Sequence, residues 1–519
     1  MVLSDTAPNP QAVGEWMARR ASVSGDRPAI TFEGSQWTFK QFQARIEATA
    51  NALYGQGVRK GDRVGILTLN RPDVLVLLFA AARLGAISVP INFRLTASEL
   101  HYIIEDAGLA ILIVGPDYVS TIQGLEATVS CRRFVQFDRK INAAWPVFDD
   151  WIAQPNPGAL PVAIEAADVC TILYTSGTTG SPKGAMITHG NVWLNNINWI
   201  LAFGITQNDV KLSVAPMFHA GGLFANVLAV LMLGGHVVMQ PQFVPDEFLR
   251  AIETYGVTMT FGVPTMILAL TQTEGFESTD LSSLRYFIAG GAPSPESLLK
   301  VCMRRGIPVS HAYGMTEATS VTTLLETNLA LKKVGSVGRP VMLGEMRLVD
   351  ASGAEVTAAH VKAEVHVRGG HIFAGYWGKA EATASAFVDD WFATGDVGYL
   401  DEDGYLYICD RVKDMIITGG ENVYAAEVES VVLEHPAVLN VAVVGVPDEK
   451  WGEAVVAAIV LRPGAELDVE ELRAFCAPRL ARYKLPRHLY RLPQLPLNGA
   501  GKIMKAEIRK IVARNLETA

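Results

Sequence analysis

The 519-residue chain has only five cysteines, Cys131, Cys170, Cys302, Cys409 and Cys476, an odd number with wide gaps. That excludes a disulfide framework and a cysteine-based zinc site, and predicts reduced, mostly buried thiols. A basic excess is also lacking. The formal charge is −9, which speaks against a nucleic-acid binder held by a generally basic surface. No long clean apolar run occurs. Residues 74–91 are interrupted by Arg83, Gly85 and Pro90, and residues 224–233 stop at Gly234 and Gly235. Neither reaches the roughly 20 apolar residues of a spanning helix, and both read as buried helices. The first ten residues have no basic patch followed by an apolar run, and residues 516–519 carry no lipidation or peroxisomal address. The expectation is a soluble, cytoplasmic protein, either monomer or homodimer.

What is present is a chain half hydrophobic and 19% charged, long enough to bury more than one core. Strand-like and helix-like patterns alternate over the first 400 residues. Residues 29–32 and 36–38 flank Glu33-Gly34-Ser35, a hairpin signal, and Phe39, Phe42, Ile46, Ala50 and Leu53 then recur at helical spacing. Thr96-Ala-Ser-Glu99 is a capping box. This rhythm predicts an α/β fold, a large N-terminal domain of β-sheets covered by helices (1–409). From 411 to 519 the pattern becomes a small α+β unit, with a predicted strand at 438–446 and a helix at 469–480. The boundary is placed at Asp410. Charge shifts there too: 15 Lys/Arg against 14 Asp/Glu from 411 onward leaves −10 for the first 410 residues. Residues 479–514 hold ten basic residues and one acid, either a solvated face or a phosphate site.

The strongest local signal is Tyr174-Thr-Ser-Gly-Thr-Thr-Gly-Ser-Pro-Lys183-Gly184, after an apolar run at 169–173. Gly177 and Gly180 allow close backbone approach. Thr175, Ser176, Thr178 and Thr179 supply hydroxyl donors, and Lys183 a point charge. This composition makes a phosphate cradle. It is not a Walker A loop, because Lys183 precedes glycine and the glycine spacing differs.

At this loop the sequence resembles the adenylate-forming superfamily of acyl-CoA synthetases, luciferases and nonribosomal adenylation domains. The other motifs follow in order: Ala215-Pro-Met-Phe-His219, Gly290-Gly-Ala-Pro293, Tyr313-Gly-Met-Thr-Glu317, Trp391-Phe-Ala-Thr-Gly-Asp396, Asp410-Arg-Val-Lys-Asp414, Gly419-Gly-Glu-Asn-Val-Tyr424 and Pro496-Leu-Asn-Gly-Ala-Gly-Lys502. The resemblance covers nearly the whole chain. It implies that the first loop closes on ATP phosphates, that Gly291, Ala292, Pro293, Tyr313 and Gly314 bind ATP or AMP, with adenine stacking on Tyr313, and that Thr316 donates to the α-phosphate. Glu317 would hold Mg²⁺, a hard cation suited to carboxylate oxygen. Asp396 would accept the ribose hydroxyls beside Arg411. Lys502 would bridge the attacking carboxylate and the α-phosphate. The small C-terminal domain would be mobile, swinging about Asp410 to present Lys502 first and then the Gly419-Gly420 side, where the arm of coenzyme A would pass.

The implied reaction is carboxylate plus ATP to acyl-AMP and pyrophosphate, then CoA to acyl-CoA and AMP. ATP, Mg²⁺ and CoA are the expected cofactors and co-substrates. The chain carries no carrier domain, so free CoA is the expected acceptor, with transfer to a carrier protein as an alternative. The acyl pocket is placed by resemblance at His219, Ala220, Gly221, Gly222, Phe261, Gly262, Gly290, Met315 and Ala318, with His219 gating or orienting the carboxylate. This small, apolar lining suits a medium- or long-chain fatty acid. The alternative is an aryl acid of cinnamate, ferulate or benzoate type. These stretches hold no basic residue, so dicarboxylates are disfavoured.

Overall fold

The computed structural model describes residues 9–155, 158–159, 162–175, 182–292, 294–411, 414–418, 421–448, 450–497 and 503–516. The chain divides into two compact units. One comprises Met1–Met346 with Val367–Phe392, the other Arg347–His366 with Ala393–Ala519.

The first unit is built on two sheets. A six-stranded sheet runs in the order Phe134–Gln136, Leu109–Val114, Arg63–Leu67, Ile87–Pro90, Val169–Thr175, Lys183–Thr188. Its neighbours are parallel except the last pair. The second sheet has a parallel centre, Val309–Tyr313, Tyr286–Gly290, Met259–Gly262, Val210–Ser213, His236–Met239 and Pro28–Phe32. Ser35–Thr38 closes one side as the expected hairpin, with Glu33 and Gly34 both at positive φ. The helix Phe39–Gly55 buries all five periodic residues, and Thr38 with Gln41 makes its capping box. Fully burying a Phe, Ile or Leu contributes about 1.5–3 kcal/mol, so this stripe decides which way the helix faces. The Thr96–Glu99 box opens Ala97–Ala107 as predicted.

Residues 74–91 split into the helix Pro72–Arg83 and the strand Ile87–Pro90. Among the described residues no helix is long and apolar enough to cross a membrane.

In the second unit, the strand Val438–Asp448 pairs antiparallel with Gly452–Leu461. Its side chains alternate between two apolar clusters, Val441 and Val443 on one face and Ala442, Val444 and Val446 on the other. Helices Ala425–Leu433 and Val469–Cys476 cover the first face and Lys505–Leu516 the second. The helix expected over 469–480 ends at Cys476, because Pro478 has no N–H to continue the helical ladder. The five cysteines are free, and only Cys409 is not fully buried.

Candidate active site

The cradle loop hangs between two paired strands. Thr175 lies opposite Lys183 in antiparallel register, and its hydroxyl donates to the Lys183 carbonyl at 3.4 Å. Lys183 was expected inside the loop. It opens the strand Lys183–Thr188 instead, since pairing with Thr175 extends the ladder to the loop's mouth. The loop therefore joins strand to strand, where a P-loop joins strand to helix. Ser176, Gly177, Thr178, Thr179 and Gly180 lie outside the described residues.

Beside this hairpin runs the segment 373–377. Met186 N–H donates to the Gly375 carbonyl, Ala374 N–H to the Met186 carbonyl and Trp377 N–H to the Gly184 carbonyl, at 2.8–2.9 Å. This strap carries a residue that motif reading missed. The Tyr376 hydroxyl donates to Glu317 Oε1 at 2.9 Å, and Lys183 Nζ sits 5.1 Å from the centre of the Tyr376 ring. One tyrosine thus ties the cradle lysine to the candidate Mg²⁺ carboxylate, and Phe373 N–H donates to the Glu317 carbonyl at 2.8 Å.

Glu317 belongs to the turn Thr316–Ala318 after the strand Val309–Tyr313. Tyr313, Gly314, Met315, Thr316 and Glu317 are half-buried, and Ala318 is buried. Gly314 has no room for a side chain, since a Cβ there would stand 2.1 Å from the Ser320 carbonyl oxygen. Thr319 holds a left-handed φ of 60°, uncommon for a β-branched residue. Its hydroxyl bond of 2.7 Å to the His371 carbonyl locks it there. Among the described residues no trio of His, Cys, Asp or Glu is placed to hold a metal. A lone carboxylate is still apt for Mg²⁺, which takes one or two carboxylates plus substrate phosphates.

Of the expected acyl residues, Gly221 and Gly290 come together at Phe261. A Cβ on Gly221 would lie 2.8 Å from its ring, and one on Gly290 would lie 2.9 Å from it, so the ring rests on both glycines. Gly262 follows on the same strand, and Gly291 holds a φ of 81°. Gly222 packs against the Pro216 carbonyl, where a Cβ would stand 2.0 Å away. Asn70, also missed, clamps this segment. Its amide donates to the carbonyls of Val214 and Ala215 and accepts from Met217 N–H. No local pattern marks it, because its partners are about 145 residues away. Gly291 and Ala292 are exposed, and Pro293 lies outside the described residues.

His219 precedes the short helix Ala220–Leu223, its ring 4.7 Å from Phe218. Burial, with a smaller push from Arg94, lowers its imidazolium to about 4. At neutral pH it is therefore a neutral donor and acceptor, unable to attract a carboxylate by charge.

In the second unit, Asp396 and Arg411 are register partners on adjacent antiparallel strands, with Arg411 Nε 3.0 Å from Asp396 Oδ1. Asp396 is buried. Asp410 precedes Arg411, and the register shifts between Val397 and Gly398, skipping Cys409 as a bulge. The Asp410 carboxylate accepts from Arg411 N–H at 2.8 Å and from Ala426 N–H at 3.1 Å. Gly419, Gly420 and Lys502 lie outside the described residues. The basic stretch is substantially neutralised: Arg479, Lys484, Lys505, Arg509 and Lys510 pair with Glu434, Glu427, Glu429, Asp414 and Glu507. Five of its ten cations are thus spoken for within this unit.

The sequence profile of the AMP-binding enzymes matches residues 17–377, and that of the AMP-binding enzyme C-terminal domain matches 427–502. A feruloyl-CoA synthase of Amycolatopsis is 40% identical over 96% of this chain and 99% of its own. A 2-succinylbenzoate–CoA ligase of Bacillus cereus is 35% identical over 98% and 99%. Among solved structures, the o-succinylbenzoate CoA synthetase of Bacillus subtilis, in complex with its acyl-adenylate intermediate, matches with a TM-score of 0.87 at 32% identity over 95% and 98%. A fatty acyl CoA synthetase of Mycobacterium tuberculosis matches with a TM-score of 0.79 at 34% identity over 97% and 99%. The chain belongs to the AMP-binding enzymes, as an AMP-forming acid–CoA ligase of the adenylate-forming kind.

Proposed function

We propose that this enzyme activates an aryl carboxylic acid: acid plus ATP gives the aryl-acyl adenylate and pyrophosphate, and CoA then gives the aryl-CoA thioester and AMP. The observation that carries the aryl assignment is the pair of full-length relatives named for feruloyl and 2-succinylbenzoate substrates, at 40% and 35% identity. The pocket is compatible. Phe261 supplies a flat apolar wall, and Gly221 and Gly290 let its ring seat where side chains would displace it. The fatty acid expected from small, apolar lining is the weaker reading, because such lining does not separate a chain from a ring. The match to a fatty acyl CoA synthetase keeps it testable.

The roles proposed are those that the family resemblance implies for each residue. Thr175, Lys183 and the loop hydroxyls bind the leaving pyrophosphate. Thr316 donates to the α-phosphate, Tyr313 stacks on adenine, and Asp396 accepts from the ribose hydroxyls with Arg411 beside it. Glu317, held by Tyr376, would carry the Mg²⁺ that neutralises phosphate charge when bound. Lys502 stabilises the developing negative charge of adenylation. The first step needs positioning and charge neutralisation more than covalent help. The second needs a different nucleophile in the same site, hence a rotation of residues 411–519 about Asp410 that exchanges Lys502 for the Gly419-Gly420 side.

The test is AMP release with ATP, Mg²⁺ and CoA across cinnamates, benzoates and C6–C18 fatty acids. Higher kcat/KM for an aryl acid than for every fatty acid is expected. A maximum at one fatty-acid length overturns the assignment. Pyrophosphate release without CoA-dependent AMP release would point to a carrier protein.

A further inference from the structure

One buried cation takes no part in this chemistry. Lys211, in the strand Val210–Ser213, is 2% exposed and flanked by Val237 and Met259 on the adjacent strands. It has no hydrogen-bond or ion-pair partner among the described residues.

Strand register says where its side chain stands. Residues paired across a parallel sheet share a face, and the face alternates with each residue. Lys211 pairs with Met259. Phe261 lies two residues further along that strand and pairs with Ile288. Lys211, Met259, Phe261 and Ile288 therefore share one face, while Leu212 and Phe287 belong to the apolar core on the other. A rise of about 3.3 Å per residue and a strand spacing of about 4.8 Å put the Lys211 and Phe261 Cα atoms roughly 8 Å apart. The four-carbon stem of a lysine spans most of that distance.

The two helices over this face bring no counter-ion, and the buried carboxylate of Asp209, two residues before Lys211, is engaged by Arg285 at 2.6 Å. The helix Val227–Leu233 packs on Lys211's strand, and the end of His189–Phe203 lies on the face through Phe203, 4.8 Å from Tyr286. Neither helix contains Asp or Glu. They bring amides instead. Asn196 and Asn226 are wholly buried, and in each both amide atoms lack a partner among the described residues. Burial lowers Lys211 to about 7, so its ammonium is held weakly here and is favoured once something supplies an oxygen.

We propose that Lys211 is the distal specificity determinant of the acyl pocket, receiving an oxygen acceptor (a phenolic oxygen or a second carboxylate) at the end of the acid remote from the reacting carboxylate. This rests on the aryl-acid reading and narrows it. It also bears on the expectation that dicarboxylates are disfavoured: the acyl stretches hold no basic residue, but the next strand brings one to their face.

The experiment compares cinnamate, 4-hydroxycinnamate, 4-carboxycinnamate and dodecanoate with the wild type and Lys211→Met. The wild type prefers one or both para-oxygen acids over cinnamate by about tenfold or more in kcat/KM, since a polar subsite left unpaired rejects the analogue lacking its partner. In Lys211→Met that preference collapses toward one, through KM. The identity of the preferred acid separates phenol from carboxylate. Preference retained in Lys211→Met overturns the proposal while leaving the aryl reading intact. Dodecanoate outperforming all three aryl acids overturns both. Ligand-induced thermal shifts without ATP give a second readout. The larger stabilisation by a para-oxygen acid disappears in Lys211→Met, and its persistence overturns the assignment.

Discussion

A histidine buried without a partner carries a pH dependence with it. His311 and His371 are almost fully enclosed, both ring nitrogens of each lack partners, and burial lowers both to about 4. His189 is also held near 4 by burial, and its Nδ1 accepts Val13 N–H, a bond that protonation would remove. The unfolded chain binds a proton on each near pH 6.5, whereas the folded chain refuses it until about pH 4. Their contribution to stability is thus complete above pH 6.5 and is lost as pH falls toward 4. In that window each group contributes a slope of about 1.4 kcal/mol per pH unit. Urea midpoints between pH 7.5 and 4.5 should fall, and His311→Leu should make the fall shallower by about one proton. An unchanged slope would show that His311 titrates normally. Gly314 makes a sharper prediction. Its Cβ would meet backbone, not a side chain that could turn aside. Gly314→Ala should cost about 1–3 kcal/mol. Because it displaces Tyr313 through Glu317, it should also lower kcat/KM for AMP release about 100-fold. Retention of both properties would mean that the turn is softer than its geometry implies. Gly314 was legible in sequence because its motif neighbours name it. Lys211 and Asn70 were not, because their meaning arises only when strands and loops distant in sequence are brought alongside.

At the scale of elements, the strap 373–377 and the strand Lys183–Thr188 act as one piece, and Tyr376 is their functional contact. A hydrogen bond to a charged group contributes about 1.5–3 kcal/mol. Tyr376→Phe should therefore raise the Mg²⁺ concentration for half-maximal ATP–pyrophosphate exchange about tenfold, with the acid's KM little changed. An unaltered Mg²⁺ titration would show that Glu317 is placed without it. The sequence named Glu317 and Lys183 by type but could not place them on either side of one ring. Elements themselves were read well where a local rule governs: the 96–99 capping box, the 33–34 hairpin, the strand at 438–446. Misreadings came where a neighbour decides. Lys183 joins a strand because Thr175 is there to pair with it. The apolar run from 224 becomes a helix only at Val227, because Asn226 takes a left-handed φ of 59°.

For the whole molecule, the question is how one site serves two nucleophiles. The proposed answer assigns opposite defects to two residues. Lys502→Ala should abolish ATP–pyrophosphate exchange yet still convert a supplied acyl adenylate and CoA into thioester. Asp410→Pro should do the reverse, because the ring fixes φ near −65° where a rotation needs freedom. Asp410 also serves locally, accepting Ala426 N–H near the start of Ala425–Leu433, so any substitution costs stability, about 1 kcal/mol if it acts as a cap. Asp410→Ala separates the two roles. It removes the same carboxylate while leaving φ and ψ free, so it should lose the same stability but keep thioester formation. Loss of the second half-reaction in the proline variant alone identifies Asp410 as the pivot. Equal loss in both variants would assign the defect to the carboxylate's hydrogen bonds, and normal turnover in both would move the pivot elsewhere in the chain.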